Sequence, residues 1–259
     1  MRGRWATARV TSTRTISKAE SRTKRICRRS SWAAGSTSPG RATQSLPSRL
    51  HGPVADALLI FKPDAAHRLA ARAGIWSWLA SERDWKIQSL TWFQPQAALI
   101  ESHYDFLQGR PFFPWLVDLM TALPMVVGRV TASADALKQM RYDLGETRIS
   151  QSRPGSLRER YGIFGGLNCL HLSDAPETGA AEVAEWAEVV QLDRVEVHLE
   201  TTTGKPDHTY RLRSLATQVA AGTHVELASR TIHELLAEES EIQGPQLEAL
   251  YRITLGALS

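Results

Sequence analysis

Hydrophobic and polar positions along the middle of the chain switch between two periods. Residues 55–61 (ADALLIF) form a largely apolar run ending at Lys62-Pro63-Asp64, as a buried strand does. Between Ala66 and Ser81 the apolar residues fall at helical spacing, with Leu69, Ile75, Trp76 and Leu79 on one face. Residues 85–93 (WKIQSLTWF) alternate as a strand. Helices are predicted over 96–107 and 112–122, a strand over 124–131 and a helix over 134–141. Residues 142–167 read as a long loop carrying Gly, Pro and Ser, the kind a compact domain keeps for function. A short strand at 168–172 and a helix at 179–188 close the unit.

This order contains a split βαβ unit. The predicted fold class is therefore α+β, a ferredoxin-like antiparallel sheet covered by helices. Beyond residue 190 the pattern changes. Residues 193–200 and 208–215 alternate with period two and flank the turn-forming stretch TTTGKPD, which predicts a hairpin. Thr223 with Glu226 fits a capping box opening a helix to Glu239. Gly244-Pro245 breaks it, and 246–258 reads as a last helix. The expected organisation is a basic tail (1–53), a central domain (54–190) and a small C-terminal hairpin-and-helix extension (191–259). The extension is marginal as a core of its own. It is expected to pack on the central domain or on a neighbouring subunit.

Charge changes the picture at the N-terminus. The chain of 259 residues has a net charge of +4, but residues 1–50 hold 12 of its 31 Lys and Arg and one of its 27 acids. The remainder is acidic, at −7. The basic tail lacks the apolar content to offset chain entropy and reads as disordered. It gives little support to a nucleic-acid partner. Its Arg- and Ser-rich, acid-poor composition also matches a transit peptide, so the expected location is cytoplasmic, with mitochondrial as the alternative. No apolar stretch reaches the ~18 residues of a membrane span. Cys27 and Cys169 form neither a disulfide framework nor a metal site.

Candidate chemistry centres on His171. It ends a short apolar run, with Asn168 before it, Ser173 and Asp174 after it, and Glu182 eleven residues on. A neutral imidazole held in one tautomer is a nucleophile toward phosphorus near neutral pH. That points to phosphoryl transfer through a phosphohistidine.

Five blocks share an order with one known family: KPD at 62–64, HYDFLQGRPFF at 103–113, RYDLGET at 141–147, RPGSLR at 153–158 and NCLHLSD at 168–174, with Glu182 and Trp186 beyond. Residues 55–186 resemble a nucleoside diphosphate kinase. The resemblance implies ping-pong transfer of a γ-phosphate from a nucleoside triphosphate such as ATP to a nucleoside diphosphate. It implies His171 as nucleophile and Glu182 as the group holding its other ring nitrogen. Lys62 contacts the transferring group, and Tyr104 lies near it. Arg141 and Arg158 bind phosphate oxygens, Thr147 adds a hydroxyl, Asn168 meets the sugar, and Phe112 and Leu116 sandwich the base. Mg²⁺ is expected to ride on the phosphates with little direct protein ligation. A homo-oligomer, hexamer or tetramer built from dimers, is implied as well.

Four positions depart from the family pattern. Ala65 and Leu172 replace glycines, Leu167 replaces an arginine and Ile149 a proline. Of these, Leu172 threatens to crowd the nucleophile. The departures motivate an alternative function, a weakly active or inactive nucleotide-binding scaffold whose extension binds a protein partner.

Overall fold

The computed structural model describes residues 53–81 and 84–258. The basic tail expected over 1–53 lies outside them but for its last residue. Four strands, β1 (Val54–Phe61), β2 (Trp85–Phe93), β3 (Met125–Ser133) and β4 (Leu170–Leu172), form one antiparallel sheet in the order β2-β3-β1-β4. That is the order expected of a split βαβ fold. Helices α1 (Pro63–Ala66), α2 (Leu69–Leu79), α3 (Ala97–His103), α4 (Phe113–Thr121), α5 (Ala134–Leu144), α6 (Leu157–Tyr161) and α7 (Pro176–Ala187) cover it.

Both faces of the sheet are buried, which explains why 55–61 reads as continuous apolar sequence. Leu58 and Ile60 of β1 enter one core cluster, shared with Met125, Val127, Ile100, Leu119 and Trp186. Ala57, Leu59 and Phe61 enter the other, with Val126, Val130, Ile75 and Leu137. Side chains of a strand alternate between faces, so each residue's place follows from its parity.

Local signals set the helix starts. The Ser133 hydroxyl accepts the Ala136 N–H at 3.2 Å at the head of α5, as a capping residue does. Pro176 opens α7 at a position where no N–H is needed, while the Thr178 hydroxyl accepts the Ala175 N–H at 3.0 Å. Gly179 lets α7 approach β1 closely, because a Cβ there would lie 2.2 Å from the Asp56 carbonyl oxygen. The expected loop at 142–167 is more ordered than its composition suggests. It contains a 3₁₀ turn at Ile149–Gln151 and the whole of α6.

The expected C-terminal hairpin does not form. Residues 209–220 are helix α8 (Thr209–Ala220), followed by α9 (Val225–Glu239) and α10 (Pro245–Gly256). Alternation over 208–215 was too short a window: Leu212, Leu215, Ala216 and Val219 carry the helical period. Leu212 and Ala216 share the core cluster of Ile232, Leu235 and Leu236 from α9. Thr223 does not cap α9 either; His224 precedes that helix in the left-handed conformation, with no side-chain cap bond. Residues 193–200, expected as the first strand of that hairpin, form no strand; Val195 makes an isolated bridge to Leu90 of β2.

The three extension helices close the same core as the sheet. Leu212, Ile232, Leu250 and Ile253 belong to one cluster with Leu58, Leu116 and Leu167. The Trp115 indole of α4 donates to the Ile253 carbonyl at 2.9 Å and abuts Gly256, where a Cβ would come within 2.8 Å of the ring. Arg213 donates to the Gly162 carbonyl at 2.7 Å, tying α8 to the end of α6. No helix among the described residues is long and apolar enough to cross a membrane.

Candidate active site

His171 sits in β4 opposite Ile60 of β1, and so lies on the sheet face covered by α3 and α7. Its Nε2 is 2.9 Å from Glu182 Oε2. The same carboxylate oxygen accepts the Ser173 hydroxyl at 2.6 Å, and Ser173 Oγ in turn accepts the Leu58 N–H at 2.8 Å. A carboxylate on Nε2 fixes the proton there and leaves Nδ1 with the lone pair. Burial works to raise the Glu182 carboxyl, but the His171 and Ser173 bonds and the histidine charge outweigh it and hold it below the ordinary range.

Cationic groups converge beside this pair. Lys62 Nζ donates to Asn168 Oδ1 at 2.9 Å, and Asn168 Nδ2 donates to the Thr147 carbonyl at 2.9 Å. Lys62 is buried, which lowers its ammonium to about 8 against the opposing pull of Asp64. Asp64 is pushed up by its own burial. It accepts the Cys169 N–H at 3.0 Å, and Cys169 adopts a positive φ of 74°. That left-handed residue, costly for a side chain other than glycine, turns the chain so that Asn168 faces Lys62.

Arg158 is lowered to about 10 by burial and by Arg141. It donates to the carbonyls of Gly145 at 3.0 Å and Leu170 at 2.8 Å, and to the Thr147 hydroxyl at 3.4 Å. Arg141 donates to the Leu172 carbonyl at 2.7 Å and pairs with exposed Asp174. Lys62, Asn168, Thr147 and Arg158 thus join one network, and Arg141 lies near enough to Arg158 for its charge to be felt there. Tyr104 stands edge-on to His171, with ring centroids 6.2 Å apart, and burial drives its phenol upward. Phe112 is 49% exposed. Leu116 instead is buried in the core cluster, not at the surface beside Phe112.

His103 carries no role in the sequence reading. Its ring lies 4.7 Å from that of His171, and Trp186 donates to its Nδ1 at 3.2 Å. Burial, with the His171 charge, lowers it to about 4, so it stays neutral. Only its place next to Tyr104 in the HYD block hinted at it. Among the described residues, Asp64 Oδ1, His103 Nε2, Tyr104 Oη and Arg158 Nε are buried without a hydrogen-bond partner. Such orphans are rare in folded proteins, and these four lie around one site.

Three of the departing positions are accommodated in plain view. Leu172 points into the opposite cluster from His171 and does not crowd it. Leu167 is fully buried in the cluster that the extension helices complete, where an arginine would be out of place. Ile149 packs against Gly162, where a Cβ would lie 2.8 Å from its Cδ1.

The fold and this group of side chains are those of an α+β phosphotransferase domain. The chain belongs to the nucleoside diphosphate kinase family, whose sequence profile it matches over residues 55–191. It is 37% identical over 128 residues to the nucleoside diphosphate kinase of Chloroflexus aurantiacus, covering 49% of this chain and 83% of that protein. It is 39% identical over 101 residues to that of Halorubrum lacusprofundi, covering 39% and 63%. A crystal structure of the Aquifex aeolicus nucleoside diphosphate kinase aligns at 29% identity with a TM-score of 0.46, covering 54% of this chain and 99% of that one.

Proposed function

We propose that the chain moves the γ-phosphate of a nucleoside triphosphate to a nucleoside diphosphate in two steps through phosphorylated His171. The observation that carries this is the His171 Nε2–Glu182 pair at 2.9 Å, which leaves Nδ1 as the nucleophilic nitrogen. In the first step Nδ1 forms a bond to the γ-phosphorus. The bond to the bridging oxygen breaks, and its electron pair leaves with the diphosphate. Nε2 keeps its proton and donates a hydrogen bond to the Glu182 carboxylate, whose charge balances the positive charge that grows on the ring. In the second step a terminal oxygen of an incoming diphosphate attacks the phosphorus and the imidazole leaves.

Lys62, Arg141 and Arg158 bind the phosphate oxygens, where charge-assisted bonds are strongest. The Thr147 and Tyr104 hydroxyls add donors, and Asn168 meets the sugar. Phe112 stacks on the base from an exposed position, which favours broad base tolerance. Fixed charges and positioning supply most of the acceleration in such chemistry.

Mg²⁺ fits the site as a phosphate-borne ion. Glu182 is committed to His171 and Ser173 and Asp174 to Arg141, while Asp64 bonds Cys169 through Oδ2 and has only a buried Oδ1 left. The one His/Cys/Asp/Glu group among the described residues spaced to hold an ion is His103, His171 and Glu182, a nitrogen-rich set unsuited to Mg²⁺. When bound, the ion neutralises phosphate charge. Every protein group named here comes from one chain.

The test is labelling with γ-labelled ATP and Mg²⁺. An acid-labile, base-stable phosphoprotein is expected, discharged on adding GDP with formation of labelled GTP. A protein that binds nucleotide yet never acquires the label sinks the proposal.

The pH dependence follows from Lys62. In the free enzyme its ammonium loses its proton as pH rises through about 8, whereas an ordinary lysine stays charged to above 10. The charged form binds phosphate, so kcat/KM is expected to fall about tenfold per pH unit above that point. A Lys62→Arg variant keeps its charge. It should show a lower plateau without that alkaline limb. An identical limb in both proteins assigns the fall to another group.

A further inference from the structure

We propose that Trp115 is a positioning residue: wedged between Gly166 and Gly256, it lets the C-terminal extension fix the base-binding end of the site and so sets nucleotide affinity without touching the nucleotide. The proposal rests on the phosphotransfer reading only for where the base lies.

The two ends of the site stand on different supports. The phosphate end is built from Lys62 just after β1, Arg141 on α5, Arg158 on α6 and His171 on β4. The base end hangs on α4. Phe112 precedes that helix from an exposed position, and its carbonyl accepts the Leu116 N–H at 3.0 Å. Where α4 sits therefore decides where the Phe112 ring stands. A helix this short is held by its packing rather than by its own propensity.

Trp115 ties α4 to the extension. Its Nε1–H donates to the Ile253 carbonyl at 2.9 Å. Ile253 is among the last four residues of α10, whose carbonyls find no partner within the helix. The indole thus supplies a bond that α10 cannot make for itself. It is also gripped from two sides. A Cβ at Gly256 would lie 2.8 Å from Cδ1, and one at Gly166 would lie 2.5 Å from Cζ3. Side chains do not approach so closely, so both positions admit the ring only because they are glycine. Gly166 belongs to the turn closed by the Ile163 N–H and the Leu167 carbonyl at 2.9 Å, and that turn leads straight into Asn168. One side chain therefore locks together α4, the turn before Asn168 and the last helix of the extension. Asn168 has anchors of its own in Lys62 and the Thr147 carbonyl, so loosening the lock falls on Phe112.

The test is calorimetric titration of the full chain with GDP and, separately, with inorganic pyrophosphate, which carries the phosphates but neither sugar nor base. Trp115→Ala is expected to weaken GDP binding about tenfold, within what one base–aromatic stack contributes, and to leave pyrophosphate binding within about twofold. In a Phe112→Ala background the same change should cost less than about twofold more, because the ring it positions is gone. Gly256→Ala probes the lock from the extension, outside the site. Alanine suits a helix better than glycine, but its Cβ displaces the indole, so GDP should weaken about threefold and pyrophosphate should not. Equal losses for the two ligands overturn the proposal, since the wedge then does no more than hold the fold. Unchanged GDP affinity overturns it too, as do losses that add in full in the Trp115→Ala, Phe112→Ala double variant. If Trp115→Ala does not fold, Gly256→Ala decides by the same comparison. Binding is read at equilibrium, so a protein that never takes label on His171 still tests the wedge.

Discussion

His171→Ala is expected to lower phosphoryl transfer by at least about 10⁴-fold, in line with removing a covalent nucleophile, and to abolish acid-labile labelling. No neighbour can stand in. His103 is the nearest imidazole, at 4.7 Å between ring centroids, but its Nδ1 accepts from Trp186 and its Nε2 carries the proton of the neutral ring. Lys62 is partly deprotonated only near its lowered value of about 8, and it is already bound to Asn168. The fold should survive. His171 is only partly buried, and after the change Glu182 still accepts the Ser173 hydroxyl at 2.6 Å. Nucleotide affinity should hold within a few fold, because the phosphate-binding cations stay in place. Glu182→Gln keeps the shape but loses the charge that balances the imidazolium, and a loss on the order of 10²-fold is expected. The check is single-turnover labelling beside a melting curve for each variant. Label persisting in His171→Ala places the chemistry on another residue.

The sequence carries the sheet and the candidate site unevenly. β1, β2 and β3 were legible because each alternates or runs apolar over eight or nine residues. The grouping of Lys62, Asn168, Arg158 and His171 was legible only through the block order, since these residues lie up to 109 positions apart and no local period relates them. Three features were not legible. The positive φ of Cys169 accompanies the Asp64 bond to its N–H, a contact between distant segments. The helix α8 was read as a strand because eight residues with three apolar side chains satisfy either period, and only packing on α9 decides. Leu167 looked like a defect in the family pattern. It makes sense once the extension is known to bury that face.

The attachment of the extension should turn on one arginine. Arg68 is 1% exposed. Its Nε donates to Glu239 at the end of α9, one NH donates to the Tyr161 carbonyl at 2.8 Å, and the other reaches the Thr209 hydroxyl at the head of α8. Glu239 is equally buried, and its second oxygen accepts the His208 N–H. One guanidinium thus joins α6, α8 and α9 to the start of α2. Its main partner lies 171 residues away, so the stretch HRLAARAG gave no hint of it. Arg68→Ala leaves the Glu239 carboxylate buried and unpaired. Breaking a buried pair on one side costs about 3–5 kcal/mol, a large share of the ~5–15 kcal/mol by which such domains are stable. A melting temperature lower by roughly 10 °C is expected for a unit of this size. Glu239→Leu alone should be less harmful, because the guanidinium keeps the Tyr161 carbonyl, the Thr209 hydroxyl and the Asp207 carboxylate at 3.9 Å. The Arg68→Met, Glu239→Leu double variant strands no charge and should be more stable than either single variant, since apolar replacements of a buried pair are often neutral. Denaturant midpoints for wild type, Arg68→Met, Glu239→Leu and the double variant measure the coupling directly. If the two single losses simply add in the double variant, the pair is not acting as a unit, and the extension is held by its apolar contacts with the sheet domain instead.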